Sequence, residues 1–163
     1  MEELEELRED EDTQKGKYMT FKSGNEYYGI GINYVSEIIG IQSITSVPET
    51  EDYIKGLINL RGKMIPVIDV RLRFGQTPIE YTDRTCIIVI NVQNVAVGLI
   101  VQTIAEVVTI DDSEIAPPPS ISTGGNNRYV YGIGKIGDNV KLLLDPDKLI
   151  NDQDASVFAQ MAE

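Results

Sequence analysis

The sequence predicts a mainly β protein made of two small barrels packed side by side, with short helices. Two observations carry this. The body of the chain aligns with itself, and each copy is a series of short apolar runs punctuated by turn residues. Shifted by 69 residues, Gly29-Ile30 falls on Gly98-Leu99, Val35 on Ile104, Glu37-Ile38-Ile39 on Glu106-Val107-Val108, and Val47-Pro48 on Ala116-Pro117. Met19, Phe21 and Asn25 fall on Ile88, Ile90 and Asn94. After Pro117 the second copy gains seven residues and the shift becomes 76, placing Gly56 on Gly132, Leu60 on Ile136, Met64 on Val140 and Ile68-Asp69 on Leu144-Asp145. Matched Gly, Glu, Pro and Asp punctuation in one order over about 60 residues indicates a duplication.

The elements follow in chain order. Segments 17–22 and 27–32 flank Ser23-Gly24-Asn25, a hairpin signal. Asn33 is placed to cap one helical turn ahead of a further strand near Ile39. Segments 53–60 and 64–69 flank Arg61-Gly62-Lys63, a second hairpin. Asp69 is placed to cap a short helix over 70–74. In the second copy the strands are 85–91, 95–101, 129–136 and 140–145, with turns at Gln93-Asn94 and Gly137-Asp138-Asn139. Asp145-Pro146 pairs an N-cap with Pro at the first helical position, predicting a closing helix over about 146–150. Four to five short strands with Gly at the corners suit a small barrel. One 60-residue barrel buries too little alone, so the two copies are expected to form one cooperative body. The expected division is an acidic tail over 1–15, a first lobe over about 16–80, a second over about 85–145, and a C-terminal tail over 151–163.

Composition narrows the function. Of 163 residues, 42% are hydrophobic and 25% charged, as in an ordinary folded domain. The absence of His excludes Ser-His-Asp and Cys-His catalysis and imidazole metal ligation. The single Cys86 excludes an internal disulfide, a structural zinc site and an iron–sulfur cluster; within Cys86-Ile87-Ile88-Val89-Ile90 it reads as core filler, in a reducing setting. Eight of the 26 acids and one of the 14 bases lie in the first twelve residues, which leaves 18 acids and 13 bases in the body. Such a tail repels itself and is expected to stay solvated. The mildly acidic body has no basic stripe, so no nucleic-acid partner is expected. No apolar segment approaches the roughly 18 residues of a membrane helix, and no basic stretch precedes an apolar one at the start. A cytoplasmic protein without direct membrane insertion is expected, reaching a membrane only through a partner.

Several residues could carry chemistry. The duplicated Asp69 and Asp145 resemble the paired carboxylates of a two-lobed acid hydrolase. Their neighbours, Val70-Arg71 and Pro146, make helix capping the simpler reading. Gly124-Gly125-Asn126-Asn127 lacks the Lys and Ser/Thr of a phosphate loop, and Pro117-Pro118-Pro119 reads as a rigid link. Glu37 and Glu106 are duplicated acids beside apolar pairs, and Arg61 sits in a turn from which it could pair with one. Thirteen apolar residues crowd between Ile38 and Ile68, more than one face of a small barrel covers, so an apolar contact patch is expected.

The run from Gly56 through Asn59-Leu60-Arg61-Gly62-Lys63-Met64-Ile65-Pro66 to Asp69 closely resembles the central signature of the CheW family of bacterial chemotaxis coupling proteins. Val35-Ser36-Glu37-Ile38-Ile39, Val47-Pro48, Val97-Gly98-Leu99-Ile100-Val101, Glu106-Val107 and Leu142-Leu143-Leu144-Asp145 are similar to that family too, so the resemblance spans residues 17 to about 150. It implies two SH3-like five-stranded barrels side by side, no catalysis and no cofactor. It implies an adaptor bridging the cytoplasmic tip of a transmembrane chemoreceptor (a methyl-accepting chemotaxis protein) and the regulatory domain of the histidine kinase CheA, within receptor arrays. Carried over, Glu37 and Arg61 would be polar specificity contacts and Ile38, Ile39 and Ile41 apolar anchors. Gly56, Asn59, Gly62, Val101 and Val107 complete the expected partner-binding set. The acidic tail is outside the signature. The family fold also occurs within CheA and within CheV, which carries a receiver domain; this length favours the stand-alone coupler.

Overall fold

The computed structural model describes residues 15–118 and 128–161. The expected tail before Lys15 and the readings at Pro119 and 124–127 lie outside the described residues. Eleven strands form two sheets: β1 (Lys17–Ser23), β2 (Glu26–Gly31), β3 (Val35–Gly40), β4 (Ile54–Leu60), β5 (Lys63–Asp69), β6 (Cys86–Val92), β7 (Val95–Val101), β8 (Thr103–Thr109), β9 (Ile115–Ala116), β10 (Val130–Ile136) and β11 (Asn139–Leu144). Three helices accompany them: α1 (Val70–Arg73), α2 (Pro146–Leu149) and α3 (Asp152–Met161). The first lobe is the five-stranded sheet β3-β6-β7-β5-β4, and the second the six-stranded sheet β8-β1-β2-β11-β10-β9, its sixth strand being the two-residue β9. This is the mainly β architecture of two small SH3-like lobes.

The pairing departs from lobes contiguous at 16–80 and 85–145. The two copies exchange their first hairpins. β1–β2 pairs with β8 and β11 of the second copy, and β6–β7 pairs with β3 and β5 of the first. The repeat relates the two lobes strand for strand, and each crossover is a parallel pair with the same register. Gly29 stands opposite Leu143 in one and Gly98 opposite Val67 in the other. The physical reason lies in the link after each first hairpin. The 3-10 turn Ile32–Tyr34 leads from β2 straight into β3 of the other sheet. Asn33 lies inside that turn without a capping hydrogen bond, and Gly31 takes the cap position instead.

The exchange explains the apolar runs. On β1, Met19 and Phe21 join the core shared by both lobes, while Tyr18 belongs to the second lobe's own interior. On β6, Ile88 and Ile90 join the shared core, while Ile87 and Val89 belong to the first lobe's interior. Strands buried on both faces read as continuous apolar runs rather than as alternation. Each such side chain contributes roughly 1.5–3 kcal/mol when fully buried.

Both predicted caps form. The Asp69 carboxylate accepts from Arg71 N–H at 2.9 Å and Leu72 N–H at 3.4 Å, and Asp145 accepts from Asp147 N–H at 3.0 Å. The segment 151–163, expected as a tail, instead folds over 152–161 into α3. Ala155 and Phe158 of α3 enter the shared core. Its start is locked reciprocally: Asp154 N–H donates to Asn151 Oδ1 at 2.8 Å and Asn151 N–H to Asp154 Oδ2 at 3.3 Å.

Candidate partner-binding site

The site centres on the closure of the first lobe, where edge strand β3 meets the β4–β5 turn. Arg61 sits in that turn at φ +51° and Gly62 at +86°, left-handed conformations that Gly tolerates without strain. Asn59 holds the turn by accepting Gly62 N–H on Oδ1 at 2.9 Å, and its carbonyl accepts Gln42 Nε2 at 3.1 Å. Gly56 lies at the bulge of β4 with φ +141°, and a Cβ there would come within 2.0 Å of the Thr45 carbonyl oxygen. Gly56, Asn59 and Gly62 therefore shape the hairpin that presents Arg61.

From this turn Arg61 reaches back and donates to the Glu37 carboxylate on β3, joining the two expected polar contacts as an ion pair. Arg61 stays 71% exposed and Glu37 29%. The hydrogen bond from Arg61 holds the Glu37 carboxyl below its ordinary value, and the same bond raises Arg61. A pair this open to water adds little stability but presents a fixed pattern of charge. Ile38 and, three residues past Arg61, Met64 are exposed. Ile39 and Ile41 are half-buried and pack onto the first lobe's interior. Of the thirteen crowded apolar residues five are buried, six half-buried and two, Ile38 and Met64, exposed.

Two expected residues fall elsewhere. Val101 is 2% exposed within the shared core, so it supports the fold and offers no surface. Its place at the end of β7, buried on both faces, is the reason. Val107 is exposed but lies on β8 of the second lobe, paired with Met19. It is the repeat mate of Ile38, as Glu106 is of Glu37. The repeat mate of Arg61 is Gly137, so the second lobe presents Glu106 without an ion pair among the described residues.

The paired-Asp reading finds no support in this geometry. Asp69 and Asp145 lie in different lobes and each caps its own helix; Asp69 is 4% exposed and also accepts the Tyr81 hydroxyl at 2.8 Å. Sequence reasoning missed Tyr53, Arg73 and Asp154. Arg73 donates to Asp154 at 3.0 Å and Tyr53 to the other Asp154 oxygen at 2.6 Å, tying α3 to the first lobe. The Asn151–Asp154 capping pattern was the available signal.

Comparison with known proteins agrees with this architecture. The family model described as CheW-like domain matches residues 17–154. The chain is 33% identical to the chemotaxis protein CheW of Klebsiella aerogenes over 147 residues, which is 90% of this chain and 89% of that protein. It is 30% identical to CheW of Treponema pallidum over 147 residues, 88% of this chain and 86% of that one. The crystal structure of the scaffolding protein TtCheW from Thermoanaerobacter tengcongensis superposes with a TM-score of 0.78 at 37% identity, covering 85% of this chain and 94% of that one.

Proposed function

The chain belongs to the CheW-like family, and from that premise we propose that it is a chemotaxis adaptor, a non-enzymatic scaffold that couples receptors to a histidine kinase. The observation that carries this reading is the family match across the whole two-lobed body, residues 17–154. The receptor contact is the cytoplasmic tip of a chemoreceptor and the kinase contact the regulatory domain of CheA. Glu37, Arg61 and Ile38 supply the polar and apolar parts of one contact face in the first lobe, and Val107 beside Glu106 supplies one in the second. The protein works in the cytoplasm and reaches the receptor array through these partners. No helix among the described residues is long and apolar enough to cross a membrane, in keeping with recruitment by contact.

An adaptor transmits a signal only if its contacts differ between the receptor's two states. Each contact is expected at roughly 800 Å² per partner or less, with array avidity supplying the remaining affinity. The test is capture of a receptor tip fragment and of the isolated CheA regulatory domain by the full chain, followed by kinase assay with both present. Binding of both, with receptor-dependent kinase activity that needs the chain, is the expected result. Binding of neither fragment overturns the proposal.

A further inference from the structure

The duplication gives both lobes a recess beside the capping Asp, and among the described residues only one recess is filled. In the first lobe it lies among Asp69, Arg71, Ile100 and Gln102; in the second, among their repeat mates Asp145, Asp147, Gly31 and Asn33. The segment 76–84, between α1 and β6, lies over the first recess. Ile79 and Tyr81 line it, Tyr81 donates its hydroxyl to Asp69 Oδ2 at 2.8 Å, and Arg71 Nε holds the Thr77 carbonyl at 2.9 Å. About 10 Å³ remains free there. The second recess is an open groove of about 860 Å³, also lined by Tyr34, Tyr131 and Lys17. Asp145 Oδ1 caps α2, and among the described residues nothing donates to Oδ2, the atom that corresponds to the Tyr81 acceptor.

We infer that this second-lobe groove is a docking site for an extended segment of a partner protein bearing an apolar residue followed two positions later by a tyrosine, whose hydroxyl is donated to Asp145. The first lobe shows the mode in full, because there the chain itself supplies such a segment as Ile79-Glu80-Tyr81. The chain's own residues ahead of β1 are ill suited. In the repeat register Asp10 and Asp12 correspond to Ile79 and Tyr81, so that stretch of sequence offers neither the apolar side chain nor the phenol hydroxyl that the first recess takes. Lys15 and Lys17 line the groove and match an acid between the apolar residue and the tyrosine, the position of Glu80. The assignment is independent of which receptor or kinase the chain couples.

The test titrates the full isotope-labelled chain with a synthetic peptide of residues 76–84 and follows the resonances of Tyr34, Tyr131 and Asp145. Saturable shifts confined to that groove are expected, with the peptide carrying Phe in place of its Tyr binding about tenfold more weakly. Asp145→Asn keeps a competent helix cap but removes the charged acceptor. It is expected to weaken the Tyr peptide by a similar factor and leave the Phe peptide unchanged, a difference that a merely structural role of Asp145 would not produce. Absence of shifts, or equal affinity for the two peptides, overturns the inference. So do Overhauser contacts from residues 1–14 to Tyr131 that persist against peptide, which give the groove to the chain's own tail. A dimer of the chain alone that the peptide dissociates gives it to a second copy and overturns the inference equally.

Discussion

Tyr53 and Tyr129 are repeat mates 76 positions apart, and together they hold one guanidinium. Arg73 lies 4.3 Å from the Tyr53 ring centroid and 5.1 Å from that of Tyr129. The backbone repeats the relationship: Tyr53 and Tyr129 carbonyls accept the N–H of Asp69 and Asp145, both at 2.8 Å. Arg73 Nε also donates to the carbonyl of its own repeat mate, Leu149, at 3.0 Å. One charged side chain thus ties the two copies where their repeat-related elements meet.

Arg73→Met is therefore expected to destabilise the protein strongly. It strips the cation from Asp154, which is 6% exposed, and removing one partner of a buried pair costs about 3 kcal/mol. Urea unfolding of this variant measures the loss. Adding Asp154→Asn should recover part of it, because the uncompensated charge is then gone while a side-chain oxygen remains to accept from Tyr53 and Asn151; no recovery would show that the ion pair is not the tie.

Gly98→Ala is expected to cost about 1–3 kcal/mol by overpacking. A Cβ there would come within 2.7 Å of both Ile87 Cγ2 and Val67 Cγ1, methyls of stiff β-branched side chains in the first lobe's interior. The equivalent Gly29→Ala meets Leu143 Cδ2 at 3.1 Å, the far end of a more adaptable side chain, and should cost less. Equal denaturation midpoints for the two variants would contradict this account of the crossover.

Much of this was legible in the sequence. The duplication, the hairpin turns and both Asp caps follow from local pattern, and the turn position marked Arg61 as able to pair with one of the two duplicated acids without saying that it is Glu37. The hairpin exchange was not legible. Periodicity reports which faces of β1 and β6 are buried but not which sheet they join, and either pairing satisfies the same apolar run. Val101 misled because a strand buried on both faces leaves no polar alternation to mark its outward side. Helix α3 was missed because Ala155, Phe158 and Met161 are a thin apolar stripe; packing against the shared core, not propensity, stabilises it.

Three of the eight tyrosines should resist ionisation. Burial pushes the phenols of Tyr53, Tyr81 and Tyr131 well above their ordinary value, reinforced by hydrogen bonds with Asp154, Asp69 and Tyr18 respectively. A raised folded-state value means that the folded protein holds these protons more tightly than the unfolded chain. Their contribution is fully present below the ordinary phenol value and is lost as pH rises towards the folded-state one. Spectrophotometric titration should show a delayed phase, and Tyr81→Phe should shrink it. An undelayed single phase would contradict these part-buried hydroxyl contacts.

The Glu37–Arg61 pair gives the most direct link between geometry and coupling. The hydrogen bond from Arg61 lowers the Glu37 carboxyl. A depressed folded-state value places the pair's contribution above the ordinary carboxylate range and removes it as pH falls through the folded-state value. In a carbon-detected titration Arg61→Ala should raise the Glu37 midpoint to the ordinary carboxylate value; an unchanged midpoint would mean that the pair does not form in solution. Because both groups are open to water, Arg61→Glu should leave the unfolding midpoint nearly unchanged while weakening kinase activation by receptor. The reversed pair Glu37→Arg/Arg61→Glu separates the two roles. It restores the local ion pair but inverts the charge pattern offered to a partner, so kinase activation should stay low. Full activation by the reversed pair would reduce Arg61 and Glu37 to a structural clasp and leave Ile38 and Met64 as the contact.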